Sequence, residues 1–155
     1  MAENLPARDV VVLGALEEVS SRGLIDEAAI DRAFADAVQR LEVRPDDGSL
    51  LAGAFSGGNQ QKLVVARELR AGQGRAPRFV LAAQPTRGVD VRVAAAIQRA
   101  LVEAARGGAA VLLVSSDLDE LRAISDRILV LRSGAIAATF PPDTPVATLG
   151  EAMLA

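Results

Sequence analysis

The 155-residue chain has no cysteine, histidine, tryptophan or tyrosine, and phenylalanine is its only aromatic residue. The lack of cysteine excludes disulfides and thiolate chemistry. The lack of histidine excludes imidazole proton transfer, histidine-containing triads and most zinc sites. Aromatic residues make up 3% of the chain, too few for a base-stacking platform. Seventeen basic residues against twenty acidic ones give a net charge of -3, so we expect no nucleic-acid partner.

Long hydrophobic runs are also missing. None approaches the roughly 18 residues of a membrane span, and Met1-Ala2-Glu3-Asn4 lacks the basic start and apolar core of a signal peptide. Half of the residues are hydrophobic and 24% are charged, which is typical of a globular protein. The length suffices for one domain or slightly more. We therefore predict a globular protein of the cytoplasm.

The first 50 residues have helical patterns. A helix over Val10–Val19 is expected, with Gly23 ending that segment. Asp26 is a good N-cap for a second helix over about 27–42. Its apolar stripe is the predicted core of a small subdomain and consists of Ile30, Phe34, Val38 and Leu41. A coupling surface for a membrane subunit is the alternative use of this region.

Residues Arg44–Gly48 form the next break in the chain. The pair Asp46 and Asp47 could be read as a metal site, but no further ligand accompanies it, so a solvated turn is favoured.

After residue 50, helices and strands alternate. The predicted strands are 78–83, 110–114, 127–132 and 135–140, and the first two are expected to be buried. The predicted helices cover 59–70, the residues from Asp90 to about 106, residues 117–124 and the last ten residues, with a loop over 71–77. This order predicts an α/β fold with a mainly parallel sheet over 51–155, preceded by the helical subdomain over 1–50.

The cluster Asp117, Asp119 and Glu120 is interpreted as an exposed helix start with Asp117 as its cap.

Ser56-Gly57-Gly58 is the sharpest local feature. Two glycines at a helix start let the backbone approach a ligand, and the free N–H groups there favour an anion. The serine hydroxyl adds another donor. The alternative is an ordinary serine cap followed by flexible glycines.

The longer run Phe55-Ser56-Gly57-Gly58-Asn59-Gln60-Gln61-Lys62 resembles the signature motif of ATP-binding cassette (ABC) transporter ATPases, most closely the class importing sugars and nucleosides. Leu81–Asp90 resembles the Walker B strand and D-loop of that family. Val114–Glu120 resembles its switch loop, and Ser125–Gly134 the segment that follows. The resemblance is strong over residues 50–140. It is weaker over 1–50, where Glu3-Asn4-Leu5 resembles the entry to the helical subdomain. It implies part of a P-loop NTPase core.

The departures from the family pattern concern catalysis. No G-x-x-x-x-G-K-[ST] loop occurs, since the only lysine, Lys62, follows Gln61. The resemblance places that loop upstream of Met1. Ala83 falls at the magnesium-site aspartate, Gln84 at the catalytic glutamate and Ser116 at the switch histidine. These side chains cannot hold a cation, accept a proton or become cationic. The chain alone is therefore expected to be inactive, like the later part of a degenerate cassette, with no metal site.

The resemblance also implies roles and partners. Ser56, Gly57, Gly58, Asn59 and Gln60 would contact, in trans, ATP held with Mg²⁺ by a second cassette. Asp90 would lie at the dimer seam as the D-loop residue, although a helix cap explains it equally. The other partners would be membrane permease subunits, which would keep the chain peripheral on the inner face of the plasma membrane.

A further implication concerns the sheet. In the family the Walker A strand lies between the strands at 110–114 and 127–132, so both edges are expected to be open and the isolated chain is expected to self-associate.

Two other functions stay open. The chain could be a non-catalytic remnant with at most an interaction role, which the coding region upstream of Met1 would decide. It could also come from a chromosome-maintenance or repair ATPase. The Asn-Gln-Gln-Lys run and the lack of a basic surface disfavour that reading.

Overall fold

The computed structural model describes residues 2–21, 23–70 and 77–154. The helices are α1 (Ala7–Val12), α2 (Glu27–Leu41), α3 (Gly57–Leu69), α4 (Val91–Arg106), α5 (Leu118–Ile124) and α6 (Val146–Leu154). The strands are β1 (Ser20–Ser21), β2 (Leu24–Ile25), β3 (Phe79–Ala83), β4 (Ala110–Val114), β5 (Ile128–Arg132) and β6 (Ala135–Phe140). Short 3₁₀ segments cover Leu16–Val19 and Ala52–Ala54. The expected α/β class is confirmed.

The strands form three pairs: β1 with β2, β3 with β4, and β5 with β6. The N–H of Ala110 donates to the carbonyl of Arg78, and that of Gln84 donates to the carbonyl of Val114. Residue 78 thus lies beside residue 110 and residue 84 beside residue 114, so β3 and β4 run in the same direction and are parallel. The other two pairs are antiparallel hairpins. Ser133 and Gly134 turn the β5–β6 hairpin with φ values of 50° and 78°, as a two-residue I′ turn requires.

Contacts divide the chain into two compact units, Met1–Leu81 with Pro85–Leu112, and Ala82–Gln84 with Leu113–Ala155. In the first, α1 packs on α2 and α3, and α4 packs on α2 and α3. Val10, Leu63 and Ile97 are fully buried there. In the second, α6 packs on the β5–β6 hairpin, where Leu149 is fully buried. The domain boundary near residue 50 stays a prediction.

Helix α2 follows its predicted course. The Asp26 carboxylate accepts the N–H of Ala29 at 3.0 Å and so caps the first turn. Ile30, Phe34 and Leu41 are buried as expected. Val38 is only half-buried, and Ala37 takes the core position instead. The buried stripe therefore advances by four, three and four residues, the ordinary helical spacing.

The predicted helix over Val10–Val19 is wrong. Helix α1 begins earlier and ends at Val12, and Gly14 adopts a φ of 89°. That left-handed conformation interrupts a right-handed helix, and glycine adopts it without strain. Gly23, with a φ of 80°, lies in the β1–β2 turn.

The expectation that β3 and β4 are buried is also wrong. Phe79 and Leu81 on β3 are 59% and 61% exposed, while Val80 and Ala82 between them are buried. Leu112 and Val114 on β4 are more than 40% exposed. One face of β3 is therefore covered and the other is open to solvent.

Two further expectations can be compared with the structure. Glu120 is buried on α5 rather than exposed. The loop expected over 71–77 lies, except for Pro77, outside the described residues. Among the residues described, no helix is both long and apolar enough to cross a membrane.

Candidate functional site

The start of helix α3 carries the predicted anion site. Ser56 precedes the helix in an extended conformation, and both Ser56 and Gly57 are exposed. The N–H of Gln60 returns to the carbonyl of Ser56 at 2.8 Å and closes the first turn. The N–H groups of Gly57, Gly58 and Asn59 precede that bond, so they have no partner within the helix. Aligned peptide dipoles add partial positive charge at the same place.

The Ser56 hydroxyl is not an ordinary helix cap. It makes no capping bond to a backbone N–H of the described first turn. It accepts instead a 2.9 Å hydrogen bond from Nδ2 of Asn59. The other end of that side chain, Oδ1 of Asn59, accepts the N–H of Arg44 at 2.8 Å. The interpretation of Ser56 as a serine cap therefore does not describe its side chain.

Gln60 is held by the backbone that leads into the helix. Its Nε2 donates to the carbonyl of Phe55 at 2.9 Å and approaches the carbonyl of Gly53 at 3.5 Å. Phe55 is buried, so this bond anchors the entry segment. The side-chain amide of Gln60 is thus committed within the chain, and the accessible donors of the motif are the Ser56 hydroxyl and the first backbone amides.

The two glycines have different surroundings. A Cβ added at Gly57 would meet no atom within 4 Å, so the backbone there is open. A Cβ added at Gly58 would lie 3.1 Å from Cγ2 of Val93 on α4. Asp90 caps α4 by accepting the N–H groups of Arg92 and Val93 at 2.9 and 3.0 Å. The D-loop candidate Asp90 therefore fixes the turn that packs on Gly58.

Lys62 is structural in this chain. It is 7% exposed, and its Nζ donates to the carbonyl of Glu42 at 2.8 Å. Desolvation by burial lowers the pKa of Lys62 below its usual value. Glu42 ends α2 in a left-handed conformation, and its carboxylate accepts Nη2 of Arg99 at 2.8 Å. The cation therefore ties the end of α2 to α3 instead of facing the Ser56 site.

Ala83 is the last residue of β3, Gln84 follows it directly, and Ser116 lies two residues after β4. Ala83 is exposed. The hydroxyl of Ser116 donates to Oε1 of Gln84 at 3.4 Å, a long and weak bond. Gln84 has a φ of 51°, a conformation few residues other than glycine adopt. The amide of Gln84 and the hydroxyl of Ser116 can orient a small molecule by hydrogen bonds, but neither is basic enough to take its proton.

Asp47 and Asp117 stabilise a turn and a helix start. Asp47 accepts the N–H and the hydroxyl of Ser49 at 3.0 and 2.6 Å, and these bonds lower the pKa of its carboxyl. Asp117 caps α5 as predicted. Within the described ranges, no group of three acidic, histidine or cysteine side chains could hold a metal ion.

Known proteins similar to this chain were found by sequence. Ribose import ATP-binding protein RbsA from Yersinia pestis is 38% identical over 133 residues, covering 86% of this chain and 25% of the relative. Ribose import ATP-binding protein RbsA 1 from Burkholderia ambifaria is 34% identical over 152 residues, covering 98% of this chain and 29% of the relative. This similarity fits an ABC ATP-binding protein of the sugar importer class. The chain spans about a quarter of the length of the curated relatives it matches. No protein-family model matches it.

Solved ABC ATPase structures share the fold. The ATP-binding cassette MJ0796, in a dimeric post-hydrolysis state bound to ADP and Pi, superposes with a TM-score of 0.73 at 22% identity. The match covers 92% of this chain and 59% of the cassette. An ATP-binding subunit of an ABC transporter gives a TM-score of 0.75 at 18% identity, covering 100% of this chain and 65% of the subunit. At these identities the likeness shows the fold alone, which is that of an ABC ATPase cassette.

Sequence reasoning missed two contacts around the motif. Arg44 holds Asn59 through a backbone N–H, which any residue except proline supplies, so no sequence signal marks it. Gln61 donates through Nε2 to the carbonyl of Pro85 at 3.0 Å, again a backbone partner. Side chains that bind backbone atoms can be found only from the fold.

Proposed function

We propose that this chain is part of the ATP-binding subunit of a sugar or nucleoside ABC importer. It supplies its signature motif in trans to ATP held, with Mg²⁺, by a partner cassette. The observation that carries the proposal is the exposed first turn of α3, where Ser56 and the open Gly57 present uncharged donors. The sequence relatives, which are named ribose import ATP-binding proteins, support the importer class.

The chemistry of the motif suits a phosphate that another domain holds. Charge on the γ-phosphate would be met by the hydroxyl of Ser56 and by the N–H groups of Gly57 and Gly58. No charged side chain of the motif points there, because Lys62 is buried against Glu42. Donors fixed before the reaction stabilise developing charge without reorganisation, and one such donor is worth about 2.7–4 kcal/mol in an oxyanion hole.

The remaining parts of the proposal follow from the same arrangement. Asp90 lies at the cassette dimer seam while it caps α4. Gln60 contributes by anchoring Phe55, and Asn59 acts beside Ser56. Membrane permease subunits hold the assembly at the inner face of the plasma membrane. Ala83, Gln84 and Ser116 leave the site on this cassette's own side without catalysis.

The test is Ser56→Arg in the assembled importer. The bulky cation would occupy the space of the γ-phosphate, so ATP turnover at the site whose Walker A loop lies on the other cassette should be lost. Ser21→Arg is the matched control, because Ser21 is an exposed serine on β1 outside the motif. Near-normal turnover in Ser56→Arg would show that the motif is structural, which would favour a non-catalytic remnant.

A further inference from the structure

We infer that Asn59 is a positioning residue that fixes the Ser56 hydroxyl as a hydrogen-bond donor toward the bound phosphate. The inference rests on the proposed function and deepens it. It starts from a relay of two hydrogen bonds, from the N–H of Arg44 to Oδ1 of Asn59 at 2.8 Å and from Nδ2 of Asn59 to Oγ of Ser56 at 2.9 Å. Both distances are typical of good bonds.

The direction of the relay follows from the chemistry of its first member. A backbone N–H can only donate, so the atom of Asn59 that faces Arg44 is its carbonyl oxygen. The atom that faces Ser56 must then be the NH₂ group, which can only donate. Ser56 is therefore the acceptor in this bond, and its own hydrogen cannot point toward Asn59.

The consequence concerns the one hydrogen of the Ser56 hydroxyl. A serine hydroxyl rotates freely and can donate in several directions unless a neighbour takes one of them. Asn59 occupies one of these directions, and Ser56 is an exposed residue. The hydrogen is left pointing away from Asn59, where a γ-phosphate oxygen would accept it. A donor oriented in advance stabilises the transition state without the cost of turning.

The anchor of the relay is itself fixed. Arg44 follows the end of α2, and Glu42 two residues earlier accepts Nζ of the buried Lys62 at 2.8 Å. Lys62 and Asn59 are three residues apart, close to one turn of α3. The segment after α2 is therefore tied to α3 at both places, and Asn59 receives its N–H donor from a constrained backbone.

Asn59→Asp tests the direction of the relay at nearly constant shape. A carboxylate still accepts the N–H of Arg44, but its second oxygen can only accept. The hydrogen of the Ser56 hydroxyl would then turn toward this second carboxylate oxygen and away from the phosphate. In the assembled importer we expect kcat to fall about 100-fold or more, as expected for Ser56→Ala, because each change removes one donor. KM for ATP should stay near its original value, because the partner cassette binds the nucleotide.

The double variant separates this role from simple charge repulsion. If Asn59 acts through Ser56, Ser56→Ala with Asn59→Asp should be no slower than the slower single variant. If the losses multiply, the carboxylate acts on the phosphate by itself and the inference is wrong. If Asn59→Asp has normal turnover while Ser56→Ala is slow, the positioning role of Asn59 is wrong but the proposed function stands. Normal turnover in Ser56→Ala would overturn the proposed function and the relay together.

A measurement on the 155-residue chain tests the hydrogen bond between Arg44 and Asn59 without any ATP turnover. Hydrogen exchange at the Arg44 amide, read by mass spectrometry, reports whether its N–H is bonded. Asn59→Ala should raise the exchange rate about tenfold or more, while Asn59→Asp should keep the original rate. Equal exchange in Asn59→Ala and the unchanged chain would show that no bond reaches Arg44 and would overturn the inference.

Discussion

A Cβ at Gly58 would lie 3.1 Å from Cγ2 of Val93, so α3 and α4 approach each other closely and a side chain at Gly58 would require Val93 to shift by a few tenths of an ångström. Its neighbour Gly57 meets nothing within 4 Å of the same added atom. One glycine of the pair thus permits helix packing, and the other keeps the backbone open to a ligand.

The glycine pair should therefore separate stability from function. Gly57→Ala should leave stability unchanged or raise it slightly, because alanine favours the helix by about 0.5–1 kcal/mol and meets no neighbour there. Gly58→Ala has the same helix gain but must displace Val93, so it is expected to be less stable than Gly57→Ala by about 1 kcal/mol or more. Urea unfolding at low protein concentration, followed by circular dichroism, measures both. Adding Val93→Ala to Gly58→Ala should recover part of the loss. Equal stability of the two single variants would contradict the packing role.

Because Lys62 is buried, we expect the free energy of unfolding to depend on pH in the alkaline range. The chain has one lysine and no histidine, cysteine or tyrosine. Lys62 is thus the only side chain expected to titrate between about pH 8.5 and the much higher pH at which arginine loses its proton. Burial lowers its pKa in the folded chain from 10.5. The unfolded chain then binds more protons between the two pKa values, so the free energy of unfolding should rise with pH up to about 10.5.

Lys62→Met is the control for that slope. Methionine keeps an apolar stem but cannot titrate, so the rise with pH should vanish in urea unfolding measured across the same range. The carbonyl of Glu42 also loses its donor, which should cost about 1–3 kcal/mol at every pH. A slope that persists in Lys62→Met would assign it to another group.

The isolated chain should neither bind ATP tightly nor hydrolyse it. Its 155 residues contain no G-x-x-x-x-G-K-[ST] loop, and a methyl group stands at Ala83. Gln84→Glu alone should restore nothing, because a new carboxylate without a metal or phosphate site has no water to activate. Titration with labelled ATP and magnesium measures this, and a micromolar dissociation constant would refute it.

The isolated chain should also self-associate. Among the described strands, β4 pairs only with β3 and β5 only with β6, and Leu112 and Val114 on β4 are exposed. An open apolar edge is a template for another chain. Light scattering over a dilution series should show association, and Leu112→Lys should reduce it by adding charge to the edge. A compact monomer that unfolds cooperatively at every concentration would contradict this prediction.

The parts of the fold that were predicted correctly depend on neighbours in sequence. Asp26 lies next to the helix it caps, and Ser133-Gly134 supplies both positive φ angles of its turn. The break at Gly14 was missed because a single glycine is tolerated inside many helices, and the sequence does not show that this one must be left-handed.

The errors at β3 and at the motif have a nonlocal cause. An apolar run such as Phe79–Ala83 indicates a strand, but whether its faces are covered depends on distant elements. The motif residues could be found from their order, whereas the bond from Asn59 to Arg44 joins positions fifteen residues apart through a backbone atom. The sequence therefore predicted a candidate site but not the hydrogen bonds that orient its side chains.

The buried position of the single lysine also decides how the chain responds to amine chemistry. Acylating reagents and lysine-directed cross-linkers need an accessible neutral amine, and Lys62 is enclosed against Glu42. In the folded chain such reagents do not reach the amine of Lys62, whereas unfolding exposes it. The extent of acylation of Lys62 thus records the fraction of molecules that have opened, without any label being engineered into the chain.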